Sequence, residues 1–402
     1  MTRIRVPIIA LLLALASAGS VAACATTTEG RAVPGMSAVD LTKLSTGPFQ
    51  AAPYDFRPKI DSAGDIFAIE SRRMMAYLAS PYDVDHDMPF LEDTRVLDIG
   101  SFDDKFGALP GDFKPVAERN HFIGGVFTTR SNKNLRARKY MTIALLRFPS
   151  EAAARTAATE FAQLSAAVPG AHDVPLGVPN AMALSANDAK GNMYAWRGSY
   201  AVLSMATVPK PDPDALAGQF KKALSTQEAQ LAQLTPTPVD DILDLPSVDD
   251  PMMRLVLPKS KVSYRGSFRD VLVGVYPPVG QLHFERDARV APKAFADTGV
   301  DLVAQNDATV YRTRDVASAF RLQTALTTLG RDDEDYGAPP GLIDARCILL
   351  DTEEPVHNDS YLCAVVYGRY VAVVGAQRDF GTVDPAFHQR VAAQYAILAK
   401  SG

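Results

Sequence analysis

Two stretches of this chain resemble each other. Residues 194–205 read Tyr-Ala-Trp-Arg-Gly-Ser-Tyr-Ala-Val-Leu-Ser-Met, and residues 364–375 read Ala-Val-Val-Tyr-Gly-Arg-Tyr-Val-Ala-Val-Val-Gly. Gly198 and Tyr200 align with Gly368 and Tyr370, 170 residues later. Upstream, Gly177 in Pro-Leu-Gly-Val-Pro-Asn-Ala parallels Gly341 in Pro-Pro-Gly-Leu-Ile-Asp-Ala, 164 residues later. Further upstream, Leu146-Arg-Phe-Pro-Ser-Glu151 parallels Val310-Tyr-Arg-Thr-Arg-Asp315, again at 164. The order is kept and the offset drifts, as a loop insertion would cause. The chain therefore reads as a duplicated unit.

Periodicity supplies the content of each copy. Residues 140–148 form an apolar, β-rich run. Ser150 then caps an alanine-rich helix with apolar residues at Ala154, Ala157, Ala158, Phe161 and Leu164. Residues 180–184 predict a second strand, 193–208 a single buried third strand, and 212–234 a second helix opened by Pro211-Asp-Pro-Asp. The second copy repeats this over 309–312, 314–329, 345–350, 360–377 and 385–399. A β-α-β-β-α order implies an α+β fold: two tandem units with antiparallel sheets and helices packed on one face. An extra amphipathic helix is expected near 65–79. Residues 271–276 and 281–284 suggest paired strands around Pro277-Pro278, and 291–297 a helix. The resulting division is a leader over 1–23, an anchor and flexible spacer over 24–62, a first domain over 63–238 and a second over 239–402.

The leader has a plain signature. Arg3 and Arg5 precede a short apolar run, and small residues end in Val21-Ala22-Ala23-Cys24. A charged start, a short apolar core and a small-residue cleavage site define an export signal. The run is well short of the ~20 residues that span a bilayer. Val-Ala-Ala-Cys has the form of a bacterial lipobox, in which diacylated Cys24 becomes the mature N-terminus. Two acyl chains give stable membrane attachment where one does not.

Composition narrows the function classes. Among 402 residues, 47% are hydrophobic and 22% charged, values of a globular chain, and the net charge is −5. A mildly acidic protein has no global electrostatic reason to bind nucleic acid. Three cysteines are too few for a disulfide scaffold. Cys347 and Cys363 fall on the two strands flanking the polar turn of the second copy, and in an exported chain such neighbours should oxidise. No nucleophile-elbow, zincin, dinucleotide or P-loop motif occurs, and neither a cofactor nor a metal is expected. The acidic run Asp83, Asp85, His86, Asp87 lacks the glycine and the final glutamate of an EF-hand and reads as an acidic turn. Glu285, beside His283 and Arg286, is a candidate acid/base group but fits a strand face better.

One run stands out by charge. Arg130, Lys133, Arg136, Arg138 and Lys139 fall within ten residues that contain no acid. They read as a protruding hairpin tip and as candidates for contact with an anionic lipid or glycan surface.

The chain resembles a family of actinobacterial, mycobacterial-type cell-envelope lipoproteins of unknown function. The resemblance rests on the Val21-Ala-Ala-Cys24 lipobox, on Gly30-Arg-Ala32, on Asp93-Thr-Arg-Val-Leu-Asp-Ile-Gly100 and on Cys363-Ala-Val-Val-Tyr-Gly-Arg-Tyr370. It implies attachment to the outer face of the cytoplasmic membrane and a two-unit α+β fold, and it supplies no activity and no catalytic residues. The expected role is non-catalytic binding of an envelope lipid, glycan or protein partner between the lobes. The alternatives are a structural protein without a small ligand and a hydrolase of envelope polymers.

Overall fold

The computed structural model describes residues 35–58, 60–103, 107–246, 250–259, 272–379, 382–383 and 386–401. The leader and Cys24 lie outside the described residues. Two seven-stranded antiparallel sheets form the body. The first contains β1 (Phe90–Leu97), β2 (Gly124–Ser131), β3 (Tyr140–Arg147), β4 (His172–Asp173), β5 (Ala181–Ser185), β6 (Lys190–Arg197) and β7 (Tyr200–Thr207). The second contains β8 (Gly274–Tyr276), β9 (Leu302–Gln305), β10 (Thr309–Arg312), β11 (Glu334–Tyr336), β12 (Arg346–Glu354), β13 (Asp359–Tyr367) and β14 (Tyr370–Ala376). The strand orders are β1-β2-β3-β7-β6-β5-β4 and, read from the other edge, β8-β9-β10-β14-β13-β12-β11. The two sheets have one topology.

The helices are α1 (Ala63–Met74), α2 (Pro81–Val84), α3 (Lys114–Arg119), α4 (Glu151–Ala166), α5 (Pro213–Leu231), α6 (Pro278–Gln281), α7 (Ala291–Thr298), α8 (Val316–Leu326) and α9 (Phe387–Ala399). Their caps repeat as well. Ser150 Oγ accepts from the Ala153 amide at the start of α4, and Asp315 Oδ1 accepts from the Ser318 amide at the start of α8.

The antiparallel, duplicated α+β architecture is present, with four refinements. First, residues 193–208 are not one strand. They lie in the hairpin of β6 and β7, and β13 and β14 repeat it. The turns need Gly198 and Gly368 at φ 52° and 55°, where a side chain is strained. Second, the repeat offset on β3 and β10 is 165, not 164. Arg147 faces Tyr200 and Arg312 faces Tyr370. A slip of one residue would put every side chain on the wrong face.

Third, the helices cover both faces of each sheet. Met141, Ile143 and Leu145 share a core with α5, whereas Ala144 and Leu146 share one with α4. In the second sheet Cys363 and Val365 pack with α9, and Ala364 and Val366 with α8. Full-length apolar strands signal burial on both faces, and those strands do not alternate cleanly with polar residues. Fourth, residues 281–284 are not a strand. They run through the end of α6 into a 3-10 turn at Leu282–Phe284, and β8 pairs with β9 instead.

The duplication reaches further than the sequence suggests. Gln227 on α5 donates to Tyr77 O and accepts from the Ala79 amide. Gln394 on α9 donates to Leu255 O and accepts from the Leu257 amide. Each buried glutamine pins the same extended segment, and each segment follows a buried Met-Met pair, Met74-Met75 or Met252-Met253.

The two units are joined in two ways. Residues 286–288 lie along the edge of β1, with Leu91 N bonded to Arg286 O at 3.1 Å and Ala288 N to Pro89 O at 3.0 Å. Residues 36–56, expected within the flexible spacer, instead form a strap over the second unit. Val39, Leu41, Leu44, Phe49 and Phe56 pack against its core, and Ser37 N donates to Asp344 Oδ2 at 2.6 Å. These apolar residues remove surface from water and hold the strap down. Among the described residues no helix is long and apolar enough to cross a membrane.

Candidate functional site

A cavity of about 560 Å3 opens where β1 and the β2–β3 hairpin of the first unit meet the second unit. That size suits a small-molecule site. Its floor is the end of the second sheet near Asp307, Thr309, Leu362, Val373 and Gly375. One wall is the C-terminal end of α8 and the loop after it. The other is the segment leading into α7. Phe90 and Lys133 of the first unit stand at the mouth.

Four buried carboxylates line this cavity: Glu285, Asp307, Glu354 and Asp359. Burial holds Glu285 above the ordinary carboxylate range, so its proton is retained more readily. Glu285 Oε1 accepts from Tyr311 Oη at 2.8 Å and from Gln281 Nε2 at 3.0 Å. Gln281 is in turn held by Gln305 Nε2 at 2.6 Å. Burial also works against the charge of Glu354, but His357 more than offsets it and keeps this carboxyl below its usual range. Glu354 accepts from the Val356 amide at 2.9 Å, the His357 amide at 2.6 Å and His357 Nδ1 at 3.0 Å. These bonds cap the β12–β13 turn. Asp307 faces the buried Arg390 at 3.5 Å, and Arg390 also donates to Gly375 O. The Asp359 carboxylate occupies the space that a side chain on Gly375 would fill, so the glycine makes room for a charge in the floor.

Two ion pairs lie on the rim. Arg286 meets Asp333 at 3.1 Å and Arg289 meets Asp287 at 2.6 Å. Arg289 and Lys133 both lie over the Phe90 ring, at 5.0 and 5.6 Å from its centroid. Glu354, His357 and Asp359 each offer a ligand atom within 4.8 Å of the others. Glu354 is already engaged by three donors of its own turn, so a metal there would compete with those bonds.

The first unit has a smaller cavity, about 260 Å3, at the equivalent place. Thr142, Ala144, Asn192, Leu203 and Met205 line it, and their repeat partners Asp307, Thr309, Leu362, Val373 and Gly375 line the larger one. Its walls are the end of α4 and the residues before α3, as the end of α8 and the residues before α7 are in the second unit. Tyr194 bonds Ser165 at 2.5 Å within it, and burial pushes the Tyr194 phenol up to about 12.

The residues singled out by sequence scatter. Cys24 lies outside the described residues. Cys347 and Cys363 are directly opposite on β12 and β13 with sulfurs at bonding distance, 1.95 Å, in the α9-side core. The basic run divides. Arg130 is 1% exposed and is removed from the surface group: it sits on β2 and donates to Pro89 O, Leu282 O and Glu285 O. Burial pushes its guanidinium down to about 10. It fastens the two units together. Lys139 is held by Asp85 at 2.8 Å and Asp87 at 2.7 Å, which also gives the acidic turn its counter-ion. Arg136 and Arg138 are exposed on the hairpin, Arg138 over the Tyr140 ring, and Lys133 reaches the cavity mouth. Glu285 is not on a strand face but in the cavity wall. Asp307, Tyr311, Glu354 and Asp359 carried no local motif. The one available signal was the exchange of Met205 for Gly375 between the repeats.

No curated protein matches the chain in sequence. Among solved structures it is similar to the extracellular domain of PknH from Mycobacterium tuberculosis, with 12% identity over 39% of this chain and 96% of that one and a TM-score of 0.27. That likeness is too slight to bear on fold or role. Residues 57–247 match the N-terminal domain, and residues 252–401 the C-terminal domain, of DUF7373, a domain of unknown function. The two matches adjoin and take up both duplicated units, and the chain thus belongs to the DUF7373 family.

Proposed function

We propose that this protein is an exported lipoprotein of the cell envelope, tethered through Cys24, that binds a small hydroxyl-rich ligand in the cavity at the junction of its units. The observation that carries the binding reading is that cavity: about 560 Å3, walled by both units and lined by four buried carboxylates. Two rim arginines, Arg286 and Arg289, are already matched by Asp333 and Asp287. Carboxylates, amides and arginines offer dense acceptors and donors. Hydroxyl groups, which both donate and accept, satisfy such a wall best. The tether rests on the charged start, the short apolar run and the lipobox cysteine.

Thermal shift of the purified full-length protein against soluble envelope oligosaccharides tests the binding reading. A stabilisation lost in Gly375→Met, which closes the floor, is expected. No shift with any oligosaccharide would overturn it. For the tether, Cys24→Ala should remove the acyl mass and move the protein from the detergent phase to the aqueous phase; unchanged partitioning would sink it.

A second reading, a hydrolase of envelope polymers, is favoured by one observation. Glu285 is held protonated more readily, and Glu354 ionised, in the same cavity. Carboxyls pushed apart in this way suit an acid and a base. Turnover of an envelope polymer, lost in Glu285→Gln with the fold intact, would establish it over simple binding.

A further inference from the structure

The strap that begins near Met36 fixes one end of the second unit. Met36 Sδ accepts from the Gly368 amide at 2.9 Å, in the β13–β14 turn, and Ser37 is held by Asp344. Asp344 lies just before β12. Both contacts are therefore at the same end of the sheet: Arg346 pairs with Ala364, and Arg312 with Tyr370. The cavity lies at the opposite end of these same strands, where β12 reaches Glu354, β13 starts at Asp359 and α8 finishes. The nine residues of β13 place about 30 Å between its Asp359 end and the Gly368 turn, and the cavity floor reaches from the Asp359 end to Thr309 and Val373, in the row of Arg346.

The surface around the strap's start is basic. Arg314, Arg321, Arg346 and Arg369 are all exposed there. Among the described residues none of the four has a carboxylate at ion-pair distance. Arg321 donates to Ser318 Oγ, Arg346 to Thr324 Oγ1 and Arg314 to Asp297 O, while Arg369 lies over the Tyr370 ring. The nearby acids are occupied: Asp315 caps α8 and Asp344 holds Ser37. Ile343, beside Asp344, is 76% exposed. Ten residues lie between Cys24 and Gly35, a reach of at most about 40 Å when extended.

We infer that this arginine-ringed end of the second unit rests on an anionic bilayer, and that the cavity at the other end opens away from the membrane. The inference rests on the proposed tether. It commits to lipid headgroups as the partner of these four arginines, each of which would contribute about a fivefold gain in affinity for an anionic surface. It also separates two basic surfaces. Lys133 and the hairpin bearing Arg136 and Arg138 stand at the cavity end and so face the envelope, not the tethering membrane.

The test uses the full-length lipidated protein in vesicles of phosphatidylglycerol or of phosphatidylcholine. With Cys347 and Cys363 bonded and Cys24 acylated, Ile343→Cys or Leu135→Cys supplies a single labelling site; Leu135 is on the hairpin and 95% exposed. A fluorophore at 343 should be quenched by headgroup spin label in phosphatidylglycerol, several-fold more than one at 135. Replacing the four arginines by glutamine should abolish that quenching while the protein still sediments with vesicles. Equal quenching at the two sites, or quenching unchanged in the quadruple variant, would overturn the orientation alone. Failure to sediment would overturn the tether, and the orientation with it.

Discussion

The two cavities are one site that has diverged. In the first unit Met205 and Tyr194 fill the space over the sheet and leave a mainly apolar hollow of about 260 Å3. In the second unit their repeat partners are Gly375 and Ala364, and the hollow grows to about 560 Å3. The lost side chains were replaced by charge. Thr142 became Asp307 and Ala223 became Arg390 in repeat terms, and Asp359 entered the space over Gly375. A sheet edge does not by itself make a binding site. The second unit differs from the first by two smaller side chains and by buried charges, and its hollow is the larger and more polar.

The comparison breaks most severely at Arg390. Its pair with Asp307 is buried on both sides, 3% and 2% exposed. Arg390→Ala removes the buried guanidinium that faces Asp307 and should cost about 3–5 kcal/mol in urea unfolding. Next comes the cysteine pair, which the first unit lacks. Replacing Cys347 and Cys363 by alanine frees a loop closed over a 16-residue separation and should cost about 3 kcal/mol, read as a lower urea midpoint that reducing agent reproduces in the parent. A cost near zero would mean that the second unit does not depend on the link.

The Gly375→Met variant restores the first-unit residue. Overpacking against Asp359 should cost about 1–3 kcal/mol and shrink the cavity, measured by crystallography and by loss of ligand-induced thermal shift. The twin glutamines sharpen the comparison from the other side. Gln227→Leu and Gln394→Leu each orphan one buried amide and one buried carbonyl, and should cost about 1–3 kcal/mol apiece. Unequal losses would show that the repeats share geometry but not energetics.

The smallest effect is on pH dependence. The folded-state pKa of Glu285 is raised by burial, so the native state binds this proton more tightly than the unfolded chain does. Stability from this group is therefore present in acid and falls as pH rises from the unfolded value toward the folded one. Glu285→Gln should flatten that decline in denaturant midpoints taken between pH 4 and 7. Glu354 has the opposite sign: its stabilisation is present above the unfolded value and lost as pH falls through the depressed one.

The sequence exposed whatever was local or repeated. The duplication rested on Gly198 and Gly368, both in left-handed turns. The hairpins those glycines close were nevertheless missed, because β6–β7 and β13–β14 are apolar on both faces and show no alternation at the turn. The start of each repeat was missed as well. β1 with α3 and β8 with α7 are separated by segments that the two copies do not share, 98–113 and 277–290. The cavity was illegible for a different reason. Its walls come from positions between Phe90 and Gly375, and its floor is defined by side chains that are missing. An absent methionine leaves no motif. Arg130 departs from the surface reading because a charge run implies solvent, whereas Pro89 O of its own unit and two backbone carbonyls of the other, Leu282 O and Glu285 O, give this guanidinium a buried home.

The strap sets an order of events. Ser37 and Asp344 are 307 residues apart, and Lys400 reaches back to Ala51 O across 349. During synthesis the strap is made before both units, yet the surface it covers is complete only when α9 has appeared. These early residues are thus among the last to find their place. A nascent chain must carry Leu41, Leu44, Phe49 and Phe56 uncovered for nearly its whole length, exposed apolar surface that invites aggregation until its tail arrives.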